Sequence, residues 1–517
     1  MRLFKYTCLF IVLMVFFRAE AQDIEPIRLE LPVQLESKSY RYELLGEQGV
    51  LLFYESRELD EAGKRKWYFS LLDTNLTERW MRFMALNDGM RVERIVASKD
   101  RLAVILLNTK SKKQDPVQYE IVSFSIETSK FGLLGGNFPA KSEVAAASLS
   151  GDQLLIGLNL DDYLADFLLF DLKLGALNTL DSNLDGQLLI TEMATSNTSG
   201  DFIVSVKQFE NKRFIADVFL VFESGGSLLR QYKPEIGQAG FLASVGFAFF
   251  EDEIIVLGTF ERENKRPAAL KDVSENQERE AVGLFYLQLH PDGSLQSQFY
   301  NFNQVPNIDV ALAREDLMRL RQQQSRGKTQ EQTEISFQFY KPIILKQDSQ
   351  IVFAAEAYRP QYRVESRIDY DFYGRPIPYT YTLFEGYNFF NTLVVSFDKN
   401  GQIQWVNSFR MQDLLSFNRD YHVMLTREQD EFLAALFNEG SIQNKTFQFD
   451  GTNSGVMDKV IPDLKFPNDR LLDDSFSRIH HWYDSYYLIT GNQKISNNRL
   501  RIENPRSVFF MQKLVFE

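Results

Sequence analysis

The stretch LVVSFDKNGQIQWVNSF, residues 393–409, constrains the fold more than any other part of the 517-residue chain. Ile403, Trp405 and Phe409 alternate with Gln402, Gln404 and Ser408, the period-two pattern of a half-buried strand. Asn400-Gly401 supplies the left-handed backbone positions of a tight turn. The TLVVSF run before it is continuously apolar, as a strand covered on both faces would be. The same outline returns at 66–83, 120–134, 166–180, 217–232, 284–302 and 445–460, with the glycine lost in the first of these. Ahead of each copy lies another strand after a polar turn, as in SKDRLAVILLN (98–108), SGDQLLIGLNL (150–160) and REQDEFLAALFN (427–438).

Each unit therefore reads as short strand, acidic turn, buried strand, variable loop, buried strand, glycine turn and outer strand, which is a four-stranded antiparallel blade. The turn residues Asp73, Glu127, Asp171 and Glu223 are 54, 44 and 52 positions apart, and Asp398 and Asp450 are again 52 apart. That spacing is in the range of β-propeller blades. The content of 44 Phe and 22 Tyr also favours sheet over helix. The expected fold is all-β: a seven- or eight-bladed β-propeller of four-stranded antiparallel blades, forming one domain over 22–517. The segment IRLELPV (27–33) is placed to complete the last blade and close the ring. A pair of β-sandwich domains is the rival, but it does not call for one motif from end to end.

At the level of architecture the chain resembles β-propeller proteins of the kelch-like or quinoprotein-like type, although it has no WD signature, no paired glycines in each blade and no regular tryptophan motif. It is also similar to exported envelope proteins of Bacteroidota, through its N-terminus, its aromatic-rich blades and its length. Residues 1–21 read as a signal peptide: Arg2 and Lys5, the apolar run CLFIVLMVFF, then Ala19 and Ala21 ahead of a cut before Gln22. The run is about half what a spanning helix needs. Cys8, the only cysteine, lies within that leader, so the remaining 496 or so residues carry no thiol chemistry. No second long apolar run follows. A net charge of −13 and a pI near 5.1 argue against nucleic acid, whose backbone requires concentrated positive charge. These features predict an exported protein of the periplasm or cell surface, peripheral to the outer membrane.

Three insertions interrupt the repeat, at about 261–283, 303–334 and 358–390. The first is charged. In the second, Val310, Ala313, Leu317 and Leu320 follow helical spacing behind Asp309 as a cap, which gives a helix lying on its own sheets or a partner-binding element. The third is dense in aromatic residues and arginine, and reads as a long hairpin or as a binding surface. Its candidate partner-binding residues are Tyr358, Arg359, Tyr362, Arg363, Arg367, Tyr370, Tyr373, Arg375, Tyr379, Tyr381 and Tyr387. Tyrosine and arginine dominate interface hot spots. The same residues also stack on sugar rings and pair with carboxylates.

No recognisable reactive constellation is present: there is no HExxH, GxSxG, phosphate loop or paired thiol. His480 and His481 are adjacent on a strand and point oppositely, and His290 beside a turn is expected to face solvent. Asp161, Asp162, Asp369, Asp371 and Glu385 are carboxylate candidates by loop position, and DSNLDGQ (181–187) reads as an Asp-Gly turn rather than a calcium loop. No cofactor, metal site or catalytic residue is expected. The leading expectation is a non-enzymatic protein-binding or scaffolding subunit of an envelope complex. The alternatives are a carbohydrate-binding or glycoside-active protein using the Tyr/Arg-rich loop, and a propeller hydrolase with a channel-mouth site.

Overall fold

The computed structural model describes residues 27–33, 40–110, 114–236, 240–250, 253–262, 280–327, 329, 335–347, 350–370, 372–438, 440–460, 464–499 and 504–515. The expected signal peptide, most of the 261–283 insertion and the end of the 303–334 insertion lie outside them. Among the described residues no helix is long and apolar enough to cross a membrane.

Local turn chemistry builds the hairpins. At 398–402 the first residue's N–H bonds to the fifth residue's carbonyl at 2.9 Å, and the fourth residue's N–H bonds to the first carbonyl at 3.0 Å. The Asp398 carboxylate also accepts the Asn400 and Gln402 amides at 2.9 and 2.8 Å. The backbone pattern repeats at 60–64, 73–77, 223–227, 290–294 and 448–452. In these six turns the fourth residue is left-handed: Gly63, Leu76, Gly226, Gly293, Gly401 and Gly451. This is the three-residue hairpin loop in which a turn is followed by one residue at positive φ. Asn400, expected to share that conformation, does not. Leu76 holds the glycine position at φ 57° because its side chain is buried between the first and eighth sheets.

The strands form eight antiparallel sheets, seven of four strands and one of five. In chain order they span 41–86, 90–140, 143–180, 187–232, 241–301, 338–416, 423–460 and 470–515, the last also holding Arg28–Pro32. The expectation of a closed propeller of seven or eight blades, and with it the resemblance to propeller proteins, is corrected here. Among the described residues every sheet is open, strand pairing never passes from one sheet to another, and no sheet closes into a barrel. The turn and alternation signals act over a few residues. They specify a four-strand meander and carry no information on how one meander closes against others.

Side chains join the sheets. In Arg101–Asn108, Leu102, Val104 and Leu106 pack with the first sheet, whereas Ala103 and Ile105 pack with the third. Both faces are covered, which accounts for the unbroken apolar runs. Each fully buried Leu, Val or Ile contributes about 1.5–3 kcal/mol. Buried carboxylates tie neighbouring sheets together. Glu356 accepts the His422 and Val423 amides at 2.8 and 2.7 Å, and Asp217 holds Lys207 at 2.8 Å and the Leu242 amide at 2.9 Å.

Arg28–Pro32 pairs with Arg506–Val515 as the fourth strand of the eighth sheet. Arg28 donates to Gln512, Gln493 and Glu30 at 2.9, 2.7 and 2.9 Å, and Arg506 reaches Glu30 at 3.2 Å and Asp469. These four charged side chains are at most 10% exposed. The first sheet packs on the other face of the eighth, against Leu29, Leu31, Phe509 and Met511, and there the Tyr42 hydroxyl lies 2.7 Å from His480 Nε2.

Candidate functional site

The 358–390 insertion is the sixth sheet's central hairpin grown outward. Its strands, Gln350–Tyr370 and Pro376–Asp398, pair continuously. Flanking strands reach only as far as Tyr358 on one side and Tyr387 on the other, so from Gln361 outward the hairpin stands alone as an arm. A bulge at Gln361/Tyr362 sets its phase. One face then carries Tyr362, Val364, Ile368, Tyr370, Phe384 and the two prolines Pro376 and Pro378. The other carries Arg363, Glu365, Arg367, Asp369, Tyr379 and Tyr381.

The eleven residues singled out in the sequence are thus not one surface. Tyr358 is 4% exposed and packs in the core, while Tyr387 is half-buried at the arm's root. Tyr362 and Tyr370 lie on the apolar face, at 53% and 70% exposure. Tyr373 and Arg375 share the tip, where the guanidinium lies 5.8 Å from the ring centre. On the charged face Arg363 pairs with Glu365 at 2.6 Å and Glu385 at 3.4 Å, Arg367 pairs with Asp369 at 3.0 Å, and the Tyr381 hydroxyl donates to Glu365 at 2.7 Å. Arg359 at the root is held by Asp316 and by Glu315 at 3.6 Å.

The helix of the second insertion is Arg314–Ser325, preceded by a 3-10 turn at Ile308–Ala311. Asp309 belongs to that turn, and Ala313 occupies the helix N-cap position. Leu320 is buried and Leu317 half-buried against the fifth and sixth sheets, whereas Val310 is 42% exposed. The adjoining stripe of Arg314, Met318 and Arg321 faces the root of the arm. Between helix and arm lies a cleft of about 1060 Å³, lined also by Arg359, Tyr362, Phe390 and Arg410. Arg314, Arg321 and Arg410 have no carboxylate partner among the described residues. The cleft's one carboxylate, Glu315, already faces Arg359. Sequence reasoning missed these three arginines because two sit on the polar side of a helix noted for its apolar stripe. The third is 89 positions beyond Arg321 in a plain strand.

The other candidates are dispersed. Asp161 pairs with Lys141, Asp369 and Glu385 pair with arm arginines, and the side chains of Asp162 and Asp371 lie outside the described residues. Asp181 accepts the Asn183 amide at 2.9 Å in an ordinary turn. His290, expected to face solvent, is half-buried with Nδ1 3.0 Å from Glu253. His480 and His481 do point apart. Burial, with Arg478 nearby, lowers His480 to about 4, and its partner is Tyr42. His481 Nε2 donates to the Asp484 carbonyl at 2.7 Å.

No family model and no curated protein matches the chain. Solved structures align with it at low identity. The polysaccharide lyase Uly1 is 9% identical with a TM-score of 0.40, over 93% of this chain and 100% of that one. A prolyl endopeptidase is 8% identical with a TM-score of 0.39, over 90% of this chain and 55% of that one. A neuraminidase-like protein of A/flat-faced bat/Peru is 9% identical with a TM-score of 0.32, over 92% and 97%. At these scores none lends this chain an activity or a ligand. The expectation of a non-enzymatic protein-binding scaffold is nevertheless corrected. The arginines meant to anchor a protein partner at 359, 363 and 367 are already neutralised by the chain's own carboxylates.

Proposed function

We propose that the chain binds an acidic polysaccharide, one bearing uronate carboxylates, in the cleft between the helix Arg314–Ser325 and the root of the arm. The observation that carries this reading is the convergence of three guanidiniums without a carboxylate partner among the described residues, Arg314, Arg321 and Arg410, with the exposed ring of Tyr362 in one cleft of about 1060 Å³. Guanidinium forks match carboxylates and form charge-assisted bonds about twice as strong as neutral ones. An aromatic face offers a sugar ring an apolar platform. The site is cationic on a chain of net charge −13, so the charge is local rather than a property of the whole surface. Glycoside hydrolysis requires two carboxylates across a groove. The cleft has one and it is committed, so the reading is binding rather than cleavage. Export to the cell surface, as the N-terminal residues predict, would place the cleft where such glycans are met.

The test is calorimetric titration with a uronate oligosaccharide and with the same oligosaccharide after carboxyl reduction. The expected result is saturable binding of the first only. Equal binding of both, or of neither, contradicts the reading.

A further inference from the structure

A second cleft, of about 760 Å³, lies between the seventh and eighth sheets, far in sequence from the arm. Its floor is one face of a three-stranded meander. Glu428 is directly opposite Glu431, and Glu431 is opposite Gln448. Further along the same face come Thr446 and then Asn444. Asp430 and Asp450 stand at the rim. Among the described residues none of the four carboxylates has a Lys, Arg or His at ion-pair distance. Like charges directly opposite on paired strands repel.

One observation points to a ligand independently of this charge, and a second concerns one of the carboxylates themselves. Asn444 is only 8% exposed, shares the cleft-facing side of its strand with Thr446 and Gln448, and makes no side-chain hydrogen bond. Glu428 Oε1 is buried and likewise has no hydrogen-bond partner. Buried polar atoms left unpaired are costly, and most native ones are satisfied. Burial also pushes the Glu428 carboxyl up, against the opposing pull of His481 and with Glu431 adding to it.

No three His, Cys, Asp or Glu side chains among the described residues converge as a metal site would require. The carboxylates need an organic cation, and the amide–hydroxyl row needs hydroxyls. The rings of Phe449 and Tyr487 on the wall suit an apolar sugar face. From Gln448 to Asn444 the row runs about 13 Å, the length of a disaccharide. We infer that this cleft takes an amino sugar, its ammonium on Glu428 and Glu431 and its hydroxyls on Asn444, Thr446 and Gln448. The inference concerns a site separate from the arm cleft and stands whether or not that cleft binds uronate.

The experiment is calorimetric titration of the full chain with a glucosamine disaccharide, its N,N′-diacetylated form and spermidine. The expected result is binding of the glucosamine disaccharide, weakened at least about tenfold by acetylation, by Glu431→Gln and by Asn444→Ala, and unaltered by Arg321→Ala. Glu428→Gln, nearly isosteric, gives the same loss should Asn444→Ala fail to fold, and a thermal melt reports folding for each variant. Absence of binding overturns the inference. So does equal binding of the acetylated sugar, or spermidine binding as tightly and unaffected by Asn444→Ala.

Discussion

The seam inside the eighth sheet, where Arg28–Pro32 joins Arg506–Val515, and the arm of the sixth are both antiparallel strands with charged side chains, but the two differ in solvent. At the seam Arg28, Glu30, Arg506 and Asp469 are at most 10% exposed and interlock across strands. On the arm Arg363 and Arg367 are 58% and 72% exposed and pair with carboxylates on the same face. Burial turns the first set into a structural lock. Exposure leaves the second worth about 0–1 kcal/mol per pair. The chain's apolar side chains follow the same division. They fill the clusters between sheets, whereas on the arm Tyr362, Val364, Ile368 and Tyr370 stand in solvent at 53–70% exposure. Such display has no value for folding, which is why the functional reading belongs at the arm's root and the stability argument at the seam.

The contrast is broken most forcefully by cutting the lock. Arg506→Ala or Asp469→Ala should lower unfolding free energy by about 3–5 kcal/mol, since either leaves a buried charge unpaired, as read from urea denaturation. A loss below about 1 kcal/mol would make the seam no different from the arm.

Two buried groups, one on the first sheet and one on the eighth, titrate in opposite senses. Burial raises Glu43 from 4.5 to about 7, so the unfolded chain releases that proton first and stability falls as pH rises through this window. His480 is lowered from 6.5 to about 4, so the unfolded chain takes up that proton first and stability is lost as pH falls from 6.5 towards 4. Each is worth on the order of 3 kcal/mol. Glu43→Gln should leave a melt that only loses stability towards acid. His480→Gln should flatten that acid limb.

Leu76→Gly sets strain against burial. Glycine relieves about 1–2 kcal/mol of left-handed strain, while removal of a buried leucine costs about 2–5 kcal/mol. A net loss of roughly 2 kcal/mol, within about 0–4 kcal/mol, is expected in a thermal melt, and a gain would show that the turn rather than packing against the eighth sheet sets its role. Smallest of all, Arg363→Ala with Arg367→Ala should shift stability by less than about 1 kcal/mol.

The hairpins were legible in the sequence because their causes are local. Asp398 and Gly401 dictate a turn within five residues, and alternation from Ile403 to Phe409 dictates a half-buried strand. Even the missing glycine at position 76 left the outline intact, although its reason, packing against the eighth sheet, was not visible. The relation between sheets was not legible, because it depends on which side chains meet across sheets. The long hairpin was legible, but not the separation of its tyrosines onto two faces by a one-residue bulge. The candidate site was half legible. Tyr362 and Arg359 stood out by composition, whereas Arg314, Arg321 and Arg410 become a site only when the helix is set beside the arm.

If the cleft is the binding site, its arginines matter to the glycan and the ion-paired ones of the arm do not. Calorimetric titration of a uronate oligosaccharide into the triple variant Arg314→Ala/Arg321→Ala/Arg410→Ala and into Arg363→Ala/Arg367→Ala compares them directly. The expected result is a loss of affinity of about a hundredfold or more in the triple variant, and a change below about threefold in the arm variant. Equal losses in the two, or a loss confined to the arm variant, would contradict it.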